Sequence, residues 1–156
     1  MKTDTNVQLL NKLVEVCLDG ELGYRTAARH LHTSKLRTIF TDYAIRRGQF
    51  AEELRSEVEH LGGSAVDAGS MAASLHRGWI ALKSAVTHGG AGAIVAACEA
   101  GEDAALSSYE AAGHLDFPGH IVSLIEKQRQ AIEQAHARIR HIKHEIDSGI
   151  DYSEND

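Results

Sequence analysis

The sequence predicts an all-α protein: four long helices packed as a bundle, with one long helical crossover between the second and the third. Three observations carry this expectation. Pro118 is the only proline in 156 residues, alanine occurs 22 times and aromatic residues make up 5%, a balance that suits helices and leaves few of the residues sheets prefer. Apolar side chains recur at three- and four-residue steps in four stretches, which puts each set on one helix face. Connections within the first pair of stretches and within the second pair are short, whereas roughly 25 to 30 residues separate the pairs. A chain of this length with 43% hydrophobic residues suits one domain, able to bury roughly two-thirds of its unfolded surface.

Each element follows from its residues. Leu10, Leu13, Cys17, Tyr24, Ala28 and Leu31 form the stripe of a first helix, from Asn6 to about Leu31. Thr33 or Ser34 offers the hydroxyl that caps the next helix. Its stripe, Leu36, Phe40, Tyr43, Phe50, Leu54 and Leu61, runs until Gly62 and Gly63 stop it. A shorter amphipathic segment from about Met71 to Val86, containing Trp79 and ending before Gly89, reads as the crossover helix. The third long helix runs from about Ala91 to His114. Pro118, which lacks an N–H and restricts the residue before it, breaks the chain at Asp116 to Gly119, and the fourth helix spans about His120 to Asp147. Residues 1–148 are thus expected to form the bundle and residues 149–156 a flexible tail. A helical crossover of about 16 residues covers roughly 24 Å, enough to carry the chain most of the way back along the bundle. That is the ferritin-like order of helices.

Net charge is −6 with no basic block, which disfavours a broad nucleic-acid-binding face. No apolar run approaches the roughly 18 residues of a membrane span, and the polar start does not resemble a signal peptide. A cytoplasmic protein is the expectation. Cys17 and Cys98 lack a nearby partner in sequence and sit among apolar helical neighbours, so buried free thiols are expected ahead of redox or metal chemistry. Phosphate-loop, nucleophile-elbow, zinc-cysteine and dinucleotide motifs are absent.

The ionisable residues offer one constellation. A carboxylate on each of two helices plus Glu-x-x-His on each of the others is the ligand inventory of dinuclear bundle sites, and i, i+3 spacing puts Glu and His on one helix face. Glu21, Glu57 with His60, Glu102, and Glu133 with His136 supply it in order. Height along the bundle is a stricter criterion. Glu57 lies about 23 residues after the first hairpin turn and Glu21 about 12 before it, a mismatch of roughly 16 Å, so Glu57 and His60 belong near the bundle end. Glu102, Glu133 and His136 come to similar heights, with Glu99 close to the level of His136, and Glu21 or Glu53 would complete a metal site from the other half. Opposite Glu21, however, helix two presents Arg46 and Arg47. The competing reading is a partly buried ion-pair network between those arginines and Glu21, Glu99 and Glu102, or carboxylates on solvated edges.

Histidine is frequent, ten residues in all, but His30, His32, His88, His114 and His120 fall at expected helix ends or turns, and His141 and His144 suit a helix C-terminus. His76, Arg77 and Trp79 share the crossover, where packing of the indole onto the bundle is the simpler role. The halves echo one another: Cys17-x-x-Gly20-Glu21 reads like Cys98-x-x-Gly101-Glu102, and Ala27-Ala28-x-His30-Leu31 like Ala111-Ala112-x-His114-Leu115. A duplicated hairpin and chance in alanine-rich helices remain alternative sources.

As a set in this order, several motifs resemble a family of uncharacterised bacterial ferritin-like four-helix-bundle proteins grouped as a domain of unknown function. They are Asp19, Gly20 and Tyr24 with Ala27 and Ala28; Arg47, Phe50, Glu53 and Leu54 running to Leu61, Gly62 and Gly63; Gly69 and Ser70; Leu75, His76, Arg77 and Trp79; Cys98, Glu99, Gly101, Glu102 and Asp103 with Tyr109; and Gln128 with His136. The likeness covers nearly all of residues 6–145. Arg29 stands where that family usually has an acidic residue, and Ala137 where an aspartate commonly follows the histidine. The resemblance implies a ferritin-like bundle and, for ferritin-like proteins at large, a metal-binding role in iron or reactive-oxygen handling. Carboxylate ligands suit Fe or Mn, with Glu21, Glu53, Glu99, Glu102, Glu133 and His136 as the candidate set.

Two functional expectations follow: a non-enzymatic bundle with a stress-related or scaffolding role, which residue heights favour, and a mononuclear or dinuclear Fe or Mn protein, which the motif inventory favours. The residues alone name no cofactor, with Fe or Mn as the candidates, and neither nucleic acid nor membrane is an expected partner. Long helices in a small chain and an apolar crossover carrying Trp79 suggest a homodimer or higher homo-oligomer.

Overall fold

The computed structural model describes residues 2–66 and 78–152, and all of its regular structure is helical: α1 (Lys2–His30), α2 (Ser34–His60), α3 (Ile80–His88), α4 (Ala91–Ala112) and α5 (Gly119–Asp147). Among the described residues there is no strand, and no helix is long and apolar enough to cross a membrane. The protein is an all-α helical bundle.

Local chemistry sets the boundaries. Asp4 sits in the first turn of α1, where a negative charge suits the helix dipole, and α1 begins at Lys2, four residues before the expected start at Asn6. Thr33 is extended and its hydroxyl accepts from the Leu36 N–H at 3.4 Å, so α2 starts at Ser34. Arg37 closes the same turn from the other side, donating to the free carbonyls of Leu31 and His32 at the end of α1. After α2 the chain reverses through Gly62 at φ +84°, a conformation that favours glycine. Pro118 precedes the first residue of α5, whose early turn needs no proline N–H.

The second connection differs in part from its expected form. The helix there, Ile80–His88, starts after Trp79, and the expected segment before it, from Met71 to Arg77, lies outside the described residues, as do Gly69 and Ser70. At the C-terminus, residues 149–152 are described. Tyr152 there is buried against the bundle, its hydroxyl donating to Glu145 Oε1 at 2.8 Å and Lys35 Nζ lying 5.4 Å from its ring centre.

α1 packs along α2 and α4 along α5, α1 also faces α4, and α3 lies on α4 and α1, while the α2–α5 contact is the slightest of these. Two apolar clusters fill the interior. One joins the C-terminal half of α1, the N-terminal half of α2, α3, the start of α4 and the end of α5, through residues such as Tyr24, Phe40, Leu82, Val95 and Ile139. The other joins the start of α1, the end of α2, the end of α4 and the start of α5, through Leu10, Leu54, Tyr109, Ile121 and Ile132. Along α2 the clusters meet between Ala44 and Ala51, and along α4 between Cys98 and Ala105. A polar layer occupies that junction.

Candidate functional site

The layer is built from residues that interrupt apolar stripes. On α2 the buried series Phe40, Ala44, Arg47, Ala51, Leu54 carries a guanidinium at its centre, and on α4 the series Val95, Cys98, Glu102, Ala105, Tyr109 carries a carboxylate. Arg47 Nη2 donates to Glu102 Oε1, and the two side chains are 3% and 0% exposed. Of the two arginines opposite the carboxylates, Arg47 is the buried one and Arg46 is exposed. Helix propensity disfavours the glycine at position 20, but its missing side chain makes room: a Cβ there would lie 2.8 Å from Arg47 Nη1. Below the guanidinium lies the Tyr24 ring, 5.6 Å away from centre to centre, a cation–π contact inside the core.

Burial opposes charge on both partners, and each is held by the other. It pushes the Glu102 carboxyl up, against the opposing pull of Arg47 and of the neighbouring Tyr24 hydroxyl. For Arg47, burial works to lower the pKa but is outweighed by Glu102 and by Tyr24, and the guanidinium stays charged. Even so, Tyr24 Oη, Arg47 Nη1 and Glu102 Oε2 are buried and make no hydrogen bond among the described residues. The pair is therefore incompletely satisfied, and disturbing it should be costly.

A second polar chain lies in the cluster on the side of Cys17. The Tyr109 hydroxyl donates to Gln128 Oε1 at 2.7 Å, and since it has one hydrogen, the Cys17 thiol at 3.0 Å is the donor to Tyr109. Gln128 Nε2 in turn donates to the Phe50 carbonyl at 3.3 Å. Four helices are thereby linked through one buried relay. Both cysteines are free and buried. Burial pushes the Cys17 thiol up to about 11, and it pushes Cys98 up as well. The thiolate is the reactive form, so neither cysteine should react with an alkylating reagent at pH 8 faster than the protein opens. Mass spectrometry after timed labelling measures this, and prompt modification of the folded protein would contradict the buried assignment.

The remaining candidate ligands are dispersed. Glu21 is half-buried, with Oε1 3.3 Å from Arg25 Nη2 and Oε2 pressed onto the backbone at Gly48, where a Cβ would fall 2.0 Å from it. Glu53 is exposed and Glu99 half-buried. Glu133 is exposed and pairs with Arg129 at 2.7 Å. His136 is only 16% exposed and faces Asp103, Nε2 to Oδ1 2.6 Å. Glu57 lies at the bundle end, 2.9 Å from His120, with His60 4.0 Å away. Among the described residues, no three His, Cys, Asp or Glu side chains are grouped so as to hold a metal ion. The structure brings Glu102 to Arg47 and His136 to Asp103; it does not gather the six candidates.

The sequence reading gave no site role to Tyr24, Gly20, Asp103 or Gln128. A signal existed for Gln128, a polar residue in the buried series Ile121, Ile125, Gln128, Ile132. None marked Gly20 as the floor beneath an arginine, because that contact joins two helices.

Trp79 closes the opposite side of this region. Its indole lies between α1 and α4, and a Cβ added at Gly23 or at Gly101 would fall 2.3 Å from a ring atom. Its ring also meets Tyr24 edge-on at 4.9 Å. With 2% exposure, the indole is part of the core and offers no surface for self-association.

Residues 5–114 match the model of a protein family described as a domain of unknown function, DUF2383. The chain belongs to that family. No curated protein matches the chain. The matched region contains α3 and α4, both partners of the Arg47–Glu102 pair, and Trp79 with both of its glycines. α5 lies beyond it, so Gln128 and His136, which the sequence reading counted among the resembling residues, fall outside the DUF2383 match.

Proposed function

We propose that this DUF2383 protein is a non-enzymatic, ferritin-like bundle, with a scaffolding or stress-related role, whose centre is closed by an ion pair. The observation that carries the reading is the Arg47–Glu102 pair at the junction of the two apolar clusters. The ferritin-like order is supported by cluster membership. The starts of α2 and α4 share one cluster and their ends share the other, which supports a connection that returns along the bundle, as a long crossover does.

A dinuclear centre needs several carboxylates facing one another with imidazoles between the helices. Here the buried carboxylate on α4 is engaged by a guanidinium, a fixed positive charge where a cation would have to approach. Glu133 faces solvent with Arg129, and Glu57 sits at the bundle end. These residues do not fit a dinuclear metal, and no chemical step is derived through one.

Metal content of protein purified without chelator tests the reading, with an anomalous-scattering measurement on crystals to locate any ion. Less than one tenth of an equivalent of Fe, Mn or other transition metal is expected. Stoichiometric metal between the helices would overturn it. The ligands would then be sought among Glu102, Glu133 and His136 with Glu21, Glu53 or Glu99, and the role would be Fe or Mn handling.

A further inference from the structure

The α1–α2 hairpin is charged unevenly along its length. From Arg25 to Arg46, around the turn, there are five lysines and arginines and a single acid, Asp42, in a chain whose net charge is −6. Away from the turn the balance reverses, with Glu52, Glu53, Glu57 and Glu59 on α2 against Arg55, and Asp4, Glu15, Asp19 and Glu21 on α1 against Lys2 and Lys12. The seam between these two helices therefore has a basic half and an acidic half.

Relief follows the same division. In the basic half, Arg25, Arg29 and Arg37 wall a groove of about 180 Å³ whose apolar lining is Ala28, Ala44 and Ile45, with Thr41 beside them. Ile45 is 55% exposed, one of few large apolar side chains left in water among the described residues. The acidic half carries a ridge instead. Residues 64–66 are tied across the seam by Asn11, which donates to the Ser64 carbonyl and accepts from the Val66 N–H, each at 2.9 Å, and by Arg55, which donates to the Val66 carbonyl.

Groove and ridge are equidistant from Gly48. Thr41 lies seven residues before it and Arg55 seven after, about 10 Å each way, and Arg37 and Glu59 lie eleven before and eleven after, about 16 Å. We infer that two copies of this chain pair antiparallel through the outer faces of α1 and α2, about a two-fold axis near Gly48. The ridge at residues 64–66 of each copy then enters the Arg25/Arg29/Arg37 groove of the other. Glu52 and Glu59 of each face the other's guanidiniums. A parallel pairing would instead set basic against basic and ridge against ridge. Such an interface is isologous, so every contact occurs twice. Exposed ion pairs contribute little affinity individually, and here they set register, while burial of Ile45 and the apolar lining of the groove supplies the apolar area. This inference does not depend on the Arg47–Glu102 reading, and the metal content of the protein has no bearing on it.

Sedimentation or light scattering on the full chain at tens of micromolar tests the pairing. The parent chain is expected to be dimeric. Arg29→Glu and Glu59→Arg, both at exposed positions, should each weaken the dimer at least tenfold, with circular dichroism confirming that both variants fold. Mixing the two variants should restore a dimer, because every Arg29–Glu59 contact is then between opposite charges. A monomeric parent, a dimer indifferent to both substitutions, or variants that fail to recover on mixing would each overturn the inference. A monomer that binds an acidic protein through this groove would do so as well.

Discussion

Replacing Glu102 with glutamine is expected to lower stability by about 3 kcal/mol, because it leaves the Arg47 guanidinium charged in the core without its counterion. For a chain of this size that corresponds to a fall in melting temperature of about 10 °C, measurable by calorimetry on metal-free protein. No exposed surface softens the effect, since Arg47 and Glu102 are 3% and 0% exposed and the guanidinium is hemmed in by Gly20 and the Tyr24 ring. The companion experiment removes both charges. Arg47→Met with Glu102→Leu should recover to within about 1 kcal/mol of the parent or exceed it, since a buried ion pair replaced by apolar side chains of similar bulk is often neutral or stabilising. The contrast between the single and the double variant is the signature of an ion pair. If Glu102→Gln left the melting temperature unchanged, the carboxylate would have no structural partner, and the proposed closure of the bundle centre would fail.

The second large effect concerns Trp79. Truncation to alanine should cost about 3 to 5 kcal/mol, the range for deleting a large buried aromatic. Gly101→Ala presents two opposed terms. Alanine favours the helix by about 1 kcal/mol over glycine, but its Cβ would lie 2.3 Å from Trp79 Cε2, a ring atom that cannot rotate away alone. Overpacking wins, and a net loss of about 1 to 3 kcal/mol is expected. In a Trp79→Ala background the clash is gone, so the same Gly101→Ala change should become stabilising by about 1 kcal/mol. The sign reversal in urea-denaturation midpoints is the measurement. Stabilisation by Gly101→Ala in the parent chain would show that the indole does not occupy the slot between α1 and α4.

Most of the helical framework was legible before any tertiary contact was known. The cap at Thr33 or Ser34, the stop at Gly62 and Gly63, the break at Pro118 and the stripe of Leu10, Leu13, Cys17, Tyr24, Ala28 and Leu31 on α1 report local physics: hydrogen-bond satisfaction at helix ends, proline's missing donor and the 3.6-residue period. All six of those stripe residues are buried. The burial of Cys17, Cys98 and Trp79, and the position of Glu57 near a bundle end, also followed from periodicity and rise per residue. The crossover helix was harder to delimit, because Trp79 belongs to the apolar pattern of that segment yet lies before the first turn of α3, held by contacts with α1 and α4.

The sequence by itself determined that this is an all-helical protein and where four of its helices run; it set Arg46 and Arg47 near the height of Glu21, and only the structure chose Arg47 and gave it to Glu102, leaving Glu21 to Arg25. Only the tertiary structure decided what the internal echoes mean. Cys17-x-x-Gly20-Glu21 and Cys98-x-x-Gly101-Glu102 look alike as text, yet Gly20 lies under the Arg47 side chain and Gly101 under the Trp79 indole, while Glu21 lies half-buried over Gly48 and Glu102 is fully enclosed. The reason is physical: spacing along one helix fixes the face a residue shares with its neighbours, whereas the close approach of a ring or a guanidinium to a backbone depends on how two helices meet, and no single helix encodes that.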